Sequence, residues 1–319
     1  MRDRWMTHRL LAGLLITSAL SAPALAQSPV AALPAISADA LMATVQTLAS
    51  REYEGRAVGT EGGAKARAFI LERFSKLGLK PVGASFEHPF TFTPKGQVTR
   101  GITTRTMQGV NLVGRCAGRE PSLNAIVLSA HYDHLGIRDG QLYPGADDNA
   151  SGVAALLELA AQCVAQPFGR DIVVAAFDAE EGGLNGAEAF ISAPTLPRGR
   201  IALNVNLDMV ARGDKGEIYV AGTTHYPALR SLLEPVAARA PIRVLFGHDL
   251  PGSGEDDWTF QSDHGPFHRA GIPFVYFGVE DHPDYHKPTD TADKINPDFF
   301  AKAVGVVLDA LRALDVGLQ

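Results

Sequence analysis

The run AIVLSAHYDH (125–134) holds six mostly apolar residues and then turns abruptly to His131, Asp133 and His134. The same change of character recurs along the chain. DIVVAAFDAEEG (171–182) ends in Asp178, Glu180 and Glu181, and IALNVNLD (201–208) ends in Asp208. PFVYFGVEDHPDYH (273–286) runs on to Glu280, Asp281, His282, Asp284 and His286. Short runs that are apolar throughout, each followed by a helical pattern, read as parallel strands buried on both faces. The helical patterns fall at about 151–164, 186–192 and 226–239, and from Pro297 in its favoured first-turn position. The expected fold is α/β: three layers, with a mostly parallel mixed sheet between helices. In open sheets of this kind ligands sit beyond the carboxyl ends of the strands, which is where these acids and imidazoles lie.

The remainder of the chain fits the same frame. Ser37 caps a helix with Leu41, Val45 and Leu48 on one face, and a second helix at Ala64–Leu77 stops at Gly78 and Pro81. Residues 85–114 read as a hairpin feeding the sheet, and EIYVAG (217–222) and IRVLFG (242–247) as further strands. The first 26 residues have a basic start, an apolar run from Leu10 and the ending Ala24-Leu25-Ala26, the pattern of a secretory signal peptide. The apolar run is shorter than the ~20 residues needed to span a bilayer. With no repeat or linker in sight, 27–319 is expected to be one domain, periplasmic or secreted, with no membrane attachment after cleavage.

Removing 26 of the 319 residues leaves 293 and takes three arginines and one aspartate from the 29 basic and 35 acidic residues, a net charge of about −8. That balance, without any Lys/Arg run, argues against a nucleic-acid partner. Cys116 and Cys163 suit an exported protein; they form either one disulfide or two buried thiols.

The stretch LYPGADDNASG (142–152) sets Asp147 beside Asp148 where a helix begins. One aspartate caps a helix; two need another reason. Taken singly, a His-x-Asp at a strand end, a Glu-Glu pair or an Asp-Asp turn is most often structural. Their joint occurrence at successive strand ends is different, because uncompensated acids would repel and lose hydration, and a divalent cation removes both costs. The donors are carboxylates and imidazoles without thiolate, which suits Zn²⁺, Mn²⁺ or Co²⁺. Five ligands exceed one tetrahedral ion with an open position and suit two ions sharing a carboxylate. One aspartate of the pair then bridges while the other orients a ligand or caps the helix. One of Glu180 and Glu181 coordinates while the other serves as general base for metal-assisted hydrolysis.

The segments SAHYDHLG (129–136), YPGADDNASG (143–152), FDAEEGGLNGAEAF (177–190), NLDM (206–209), SDHGPF (262–267) and DYHKPTDTADKI (284–295) together resemble the M28 family of zinc aminopeptidases over nearly the whole chain after residue 26. The resemblance implies two zinc ions bridged by Asp147, with His131 and Asp208 completing one site and Glu181 and His286 the other. It implies Glu180 as general base working with a bridging hydroxide, and Asp133 and Asp148 as residues that orient the ligands. It also implies a non-proline cis peptide after the bridging aspartate, and a peptide substrate with a free N-terminus. Some members carry a tyrosine before the Ser-Asp-His stretch; here Trp258-Thr259-Phe260 stands there, with Tyr285 or Tyr132 as stand-ins. The acidic loop Glu255–Asp257, Asp256 in particular, is a candidate partner for the substrate's amino group, or a solvated turn.

Related classes compete. M20 hydrolases insert a lid domain, for which the interval between Asp208 and His286 is too short. Glutamate-type carboxypeptidases add domains this chain has no room for. Glutaminyl cyclases share the fold as single-zinc acyltransferases, and receptor-like relatives have lost the ligands; the complete ligand set favours hydrolysis over both.

Overall fold

The computed structural model describes Met1 and residues 35–94, 106–193 and 195–318. Apart from Met1, the expected export signal lies outside the described residues. The described residues from 35 onward form one compact unit.

In chain order this unit begins with α1 (Ala38–Leu48), α2 (Glu61–Leu77), β1 (Lys80–Pro81), β2 (Glu87–Phe92), β3 (Met107–Cys116), β4 (Ala125–His131), β5 (Gly136–Arg138), β6 (Gln141–Tyr143) and α3 (Gly152–Ala165). It continues with β7 (Ile172–Phe177), α4 (Asn185–Ser192), β8 (Ile201–Leu207), β9 (Glu217–Ala221), α5 (Pro227–Arg239), β10 (Arg243–Phe246), α6 (His264–Arg269), β11 (Phe274–Gly278) and α7 (Pro297–Gly317). A nine-stranded sheet runs β1-β3-β7-β4-β8-β11-β9-β10, with β2 also on β3. Its centre, β7-β4-β8-β11, is parallel. The flanks turn antiparallel where β3 meets β7 and where β9 meets β11.

Period-two alternation sends Ile126, Leu128 and Ala130 into the larger core under α1, α2, α3 and α7, and Val127 into the smaller core with Phe190 of α4 and Phe267 of α6. Burial on both faces is why these strands read as unbroken apolar runs. The helix expected from Ala64 starts three residues earlier, because Thr60 accepts the Gly63 N–H and fixes the first turn. The β5–β6 hairpin and the short α6 carry no periodic signal and went unread. Cys116 at the end of β3 is disulfide-bonded to Cys163 of α3, which decides between the two cysteine readings.

The parallel strands finish level with one another: His131 pairs with Phe177, and Leu207 with Phe277. Asp178, Asp208 and the 279–286 loop therefore leave the sheet along one edge.

A candidate metal centre

Five segments deliver donors to this edge. β4 ends in His131, the turn after β7 carries Glu180 and Glu181, and β8 leads directly into Asp208. The kinked turn before α3 supplies Asp148, and the loop after β11 supplies His286. His131 Nε2 lies 3.3 Å from Asp208 Oδ1 and 3.4 Å from Asp148 Oδ1. The other oxygen of Asp148, Oδ2, lies 3.0 Å from His286 Nε2 and 3.7 Å from His134 Nδ1. Glu181 faces the same two imidazoles, Oε1 at 2.6 Å from His134 Nδ1 and Oε2 at 3.4 Å from His286 Nε2. Two donor groups result, His131/Asp148/Asp208 and His134/Asp148/Glu181, and Asp148 stands in both.

This geometry exchanges the expected parts of the two aspartates. Asp147, the expected bridge, points away: its Oδ1 accepts the Ala211 N–H (2.9 Å) and its Oδ2 lies 3.3 Å from His282 Nε2. Asp148, expected to stand behind, enters the centre. Adjacent side chains diverge, and the backbone decides which one points inward. Asp148 breaks the helical turn at φ −100°, ψ 96°, and the cis peptide follows it at Asp148–Asn149, one residue later than expected.

The turn is clamped from every side. Asp290 accepts the N–H groups of Asp147 and Asp148, each at 3.1 Å. Asn149 donates to Leu207 O and accepts from Met209 N, tying the turn to the end of β8. Gly145 (φ +57°) packs so closely that a Cβ there would meet Asp148 O at 2.1 Å. Beneath lies Arg56, fully buried, donating to Tyr132 O (3.0 Å), Leu48 O (2.8 Å), Pro144 O (2.6 Å) and Gly145 O (2.8 Å). It bridges the strand end carrying His131 to the turn carrying Asp148. In sequence Arg56 sits in the charged REYEGR segment, which has the look of a solvated turn and gives no sign of burial.

Other donors are held as firmly. Asp133 accepts the N–H groups of Glu180 (3.0 Å) and Glu181 (3.3 Å), and its Oδ1 lies 3.7 Å from His131 Nδ1. Asp133 thus lies beside His131, whose Nδ1 is 3.2 Å from the Asp133 backbone oxygen, and it fixes the acid pair as well. A buried relay runs from Asn204 to Ser129 (2.9 Å), Asn206 (2.7 Å), Ser262 (2.9 Å) and Asp208 Oδ2 (2.7 Å). Ser262 thereby holds one oxygen of Asp208 and leaves Oδ1 toward His131.

Packing so many charges together moves their proton affinities. Burial pushes Glu181 up to about 7 and Asp148 upward, and it drives Glu180 well above the carboxylate range. Burial also lifts Asp263, whose two oxygens find no hydrogen-bond partner, to about 8. Asp208 is the exception: burial opposes its charge, but His131 and Ser262 outweigh that and hold it low. His134, enclosed by burial, falls to about 3 and is neutral at neutral pH.

The centre opens on a cavity of about 330 Å³ whose walls include Glu180, His286, Tyr285, Leu184, Trp258 and Asp281. Tyr285 is stacked on His286 with ring centroids 3.9 Å apart. Tyr132 is committed elsewhere, its hydroxyl donating to Val110 O (2.8 Å). Asp256 does not line the cavity; it turns outward to His248 Nδ1 at 2.7 Å, so the expected role for the acidic loop is corrected. His134 was visible in the His-Tyr-Asp-His stretch, yet nothing in the sequence distinguished it from a hydrogen-bonded strand-end histidine.

His134 Nδ1 and Glu181 Oε1 face each other at 2.6 Å without hydrogen-bond alignment, and both are buried. Such crowding of oxygen and nitrogen donors, with no thiolate among them, fits a hard or borderline divalent ion. Fold and centre together define a divalent-metal α/β protein with its site at the carboxyl edge of the sheet. Peptidase family M28 matches residues 111–311, and the chain belongs to that family. Over 257 residues it is 30% identical to Aminopeptidase YwaD of Bacillus subtilis (strain 168), covering 74% of this chain and 52% of that protein. The chain spans about half the length of the curated relatives it matches. Among solved structures, BSAP, a zinc aminopeptidase from Bacillus subtilis, superposes with a TM-score of 0.69 at 18% identity, covering 88% of this chain and 95% of that one. A Bacteroides thetaiotaomicron glutaminyl cyclase bound to N-acetylhistamine also superposes at 0.69 and 18% identity, covering 88% and 99%. At such identity these two likenesses speak to the fold.

Proposed function

We propose that the protein is an exported zinc aminopeptidase that removes the N-terminal residue of peptides. The observation that carries this reading is the division of Asp148 between two donor groups that open on one cavity with Glu180. His131, Asp148 and Asp208 would hold one ion, and Asp148, Glu181 and His286 the other. His286 is preferred to His134 because it lines the cavity, while His134 is enclosed behind Glu181. When bound, the ions supply Lewis-acid polarisation and lower the pKa of water.

The chain's own residues do the rest. Glu180 accepts a proton from the attacking water and returns it to the departing amine. It lines the cavity beside the candidate ligands without being needed as one of them, which suits that transfer. Asp133 fixes the backbone of both glutamates, so that Glu180 stays directed at the cavity while Glu181 stays with the ions. Tyr285, beside His286, offers a hydroxyl toward the scissile carbonyl.

The test pairs metal analysis with activity. Two zinc equivalents per chain are expected, as is hydrolysis of aminoacyl anilides that needs the free amine and is lost with a chelator. One equivalent after saturation, with cyclisation of N-terminal glutamine, would establish the acyltransferase alternative instead. Export follows from the pattern of residues 1–26 and agrees with the disulfide. Among the described residues no helix is long and apolar enough to cross a membrane. Protein from its native host should begin at or near Gln27, and retention of Met1 would refute cleavage.

A further inference from the structure

We infer that Asp281 is the residue that receives the substrate's α-ammonium group, an assignment that rests on the aminopeptidase reading. The cavity wall carries seven carboxylate and imidazole side chains: His131, Asp148, Glu180, Glu181, Asp208, Asp281 and His286. Six of them are ligand candidates or the base. Asp281 alone is outside that set, exposed on the wall, with no hydrogen bond or ion pair to any described residue. Its neighbours are engaged elsewhere. Glu280 pairs with Lys215 at 2.5 Å on the outer side, and His282 turns inward to Asp147.

Charge balance explains why such a residue is needed. Two divalent cations bring four positive charges, against three from the ligand carboxylates Asp148, Glu181 and Asp208. The hydroxide formed from the attacking water cancels the remaining charge, so the loaded centre gives an ammonium no net attraction. A cationic N-terminus can settle beside it only if a carboxylate that no metal neutralises stands on the same wall. Glu180 is reserved for the proton of the attacking water, which leaves Asp281. Asp256, the candidate from sequence, is turned away and already holds His248. The same carboxylate would repel the C-terminal carboxylate of a peptide presented the wrong way round, so one residue contributes both affinity and polarity.

The test compares Asp281→Asn and Asp281→Glu with the wild type on the best aminoacyl p-nitroanilide of a small panel and on its N-acetylated form. Binding of the corresponding free amino acid is measured in parallel by calorimetry. A hydrogen bond to a charged group corresponds to about 10- to 100-fold. Asp281→Asn should therefore raise KM for the free-amine substrate, and weaken the amino acid, by about that factor. The kcat and the metal content should stay near wild type, and Asp281→Glu should recover part of the loss. Glu280→Gln, next in sequence but facing outward, should change neither. If the wild type requires the free amine but Asp281→Asn leaves KM and binding unchanged, the assignment is overturned while the aminopeptidase reading stands. Loss of metal from Asp281→Asn would also overturn it, since the residue would then act through the centre. Equal turnover of free and acetylated substrates by the wild type would overturn both, and is seen without any variant.

Discussion

Replacing each aspartate of the pair by asparagine separates the two assignments that sequence and geometry support. In Asp148→Asn the side chain keeps its size but presents one oxygen and one amide, so it can no longer offer an oxygen to both groups. Burial already favours the neutral form of Asp148, so the metal-free fold should tolerate the change. In Asp147→Asn the amide oxygen can still accept the Ala211 N–H, and what is lost is the charge facing His282.

The size of the effect can be read by calorimetry. Zinc at about 100 times its dissociation constant stabilises a folded protein by about 2.7 kcal/mol, and in a domain of this size that corresponds to about 5–10 °C in Tm. The wild type should show a rise of that order. Asp147→Asn, whose side chain touches none of the proposed ligands, should keep a rise close to that of the wild type. Asp148→Asn should melt near the metal-free wild type at every zinc concentration and be inactive. The reverse pattern, with Asp147→Asn blind to zinc and Asp148→Asn rescued by it, would restore Asp147 as the bridge and refute the reasoning from geometry.

Other expectations are simpler. Glu180→Gln should lower kcat by at least about 100-fold with zinc content retained, whereas Glu181→Gln should lose zinc; zinc analysis and steady-state kinetics on the two variants check this. Arg56→Met takes the guanidinium from four buried carbonyl oxygens, of which Gly145 O keeps the Ala150 N–H, and should cost about 3–5 kcal/mol by denaturant unfolding. Arg56→Lys, with charge kept but a single donor head, should recover only part. Metal-stripped protein should lose stability as pH rises from about 5 to about 8. Burial raises the folded-state values of Glu181 to about 7 and Asp263 to about 8, so the folded state holds more protons than the unfolded one across that window. The stabilisation is complete below the ordinary carboxylate range and is lost as pH climbs through the raised values. A Tm that climbs with pH in the stripped protein would contradict it.

Much of the fold was legible because its central strands are buried on both faces. A run such as IVVAAF (172–177) has no polar residue to obscure the reading, and the edge where such runs end is where the donors were found. His131, Glu181, Asp208 and His286 could be named as candidate donors for the same reason: each follows a strand that could be read. The choice between Asp147 and Asp148 was not. It depends on a kinked turn held by Arg56 and Asp290, which lie far from it in sequence. Asn204 and Asn206 were passed over because β8 reads as apolar with two interruptions. Only the sheet register shows that they share a face with Ser129 and lead to Asp208.

The acids at this edge also bear on how the protein folds. Without cations, burial holds Glu180, Glu181, Asp148 and Asp263 toward their neutral forms, and the fully buried Arg56 beneath them gives its hydrogen bonds to carbonyl oxygens. Arg56 can therefore order the turn without neutralising any single carboxylate, which leaves those charges for the metals. Binding must then displace protons from the ligands, so zinc affinity should strengthen as pH rises through the value near 7 set by Glu181. Stability without metal and affinity for metal thus run in opposite directions over the same pH interval. A titration of zinc binding that releases protons at pH 6 and fewer at pH 8 would tie both to the same carboxylates. Equal proton release at the two values would separate them.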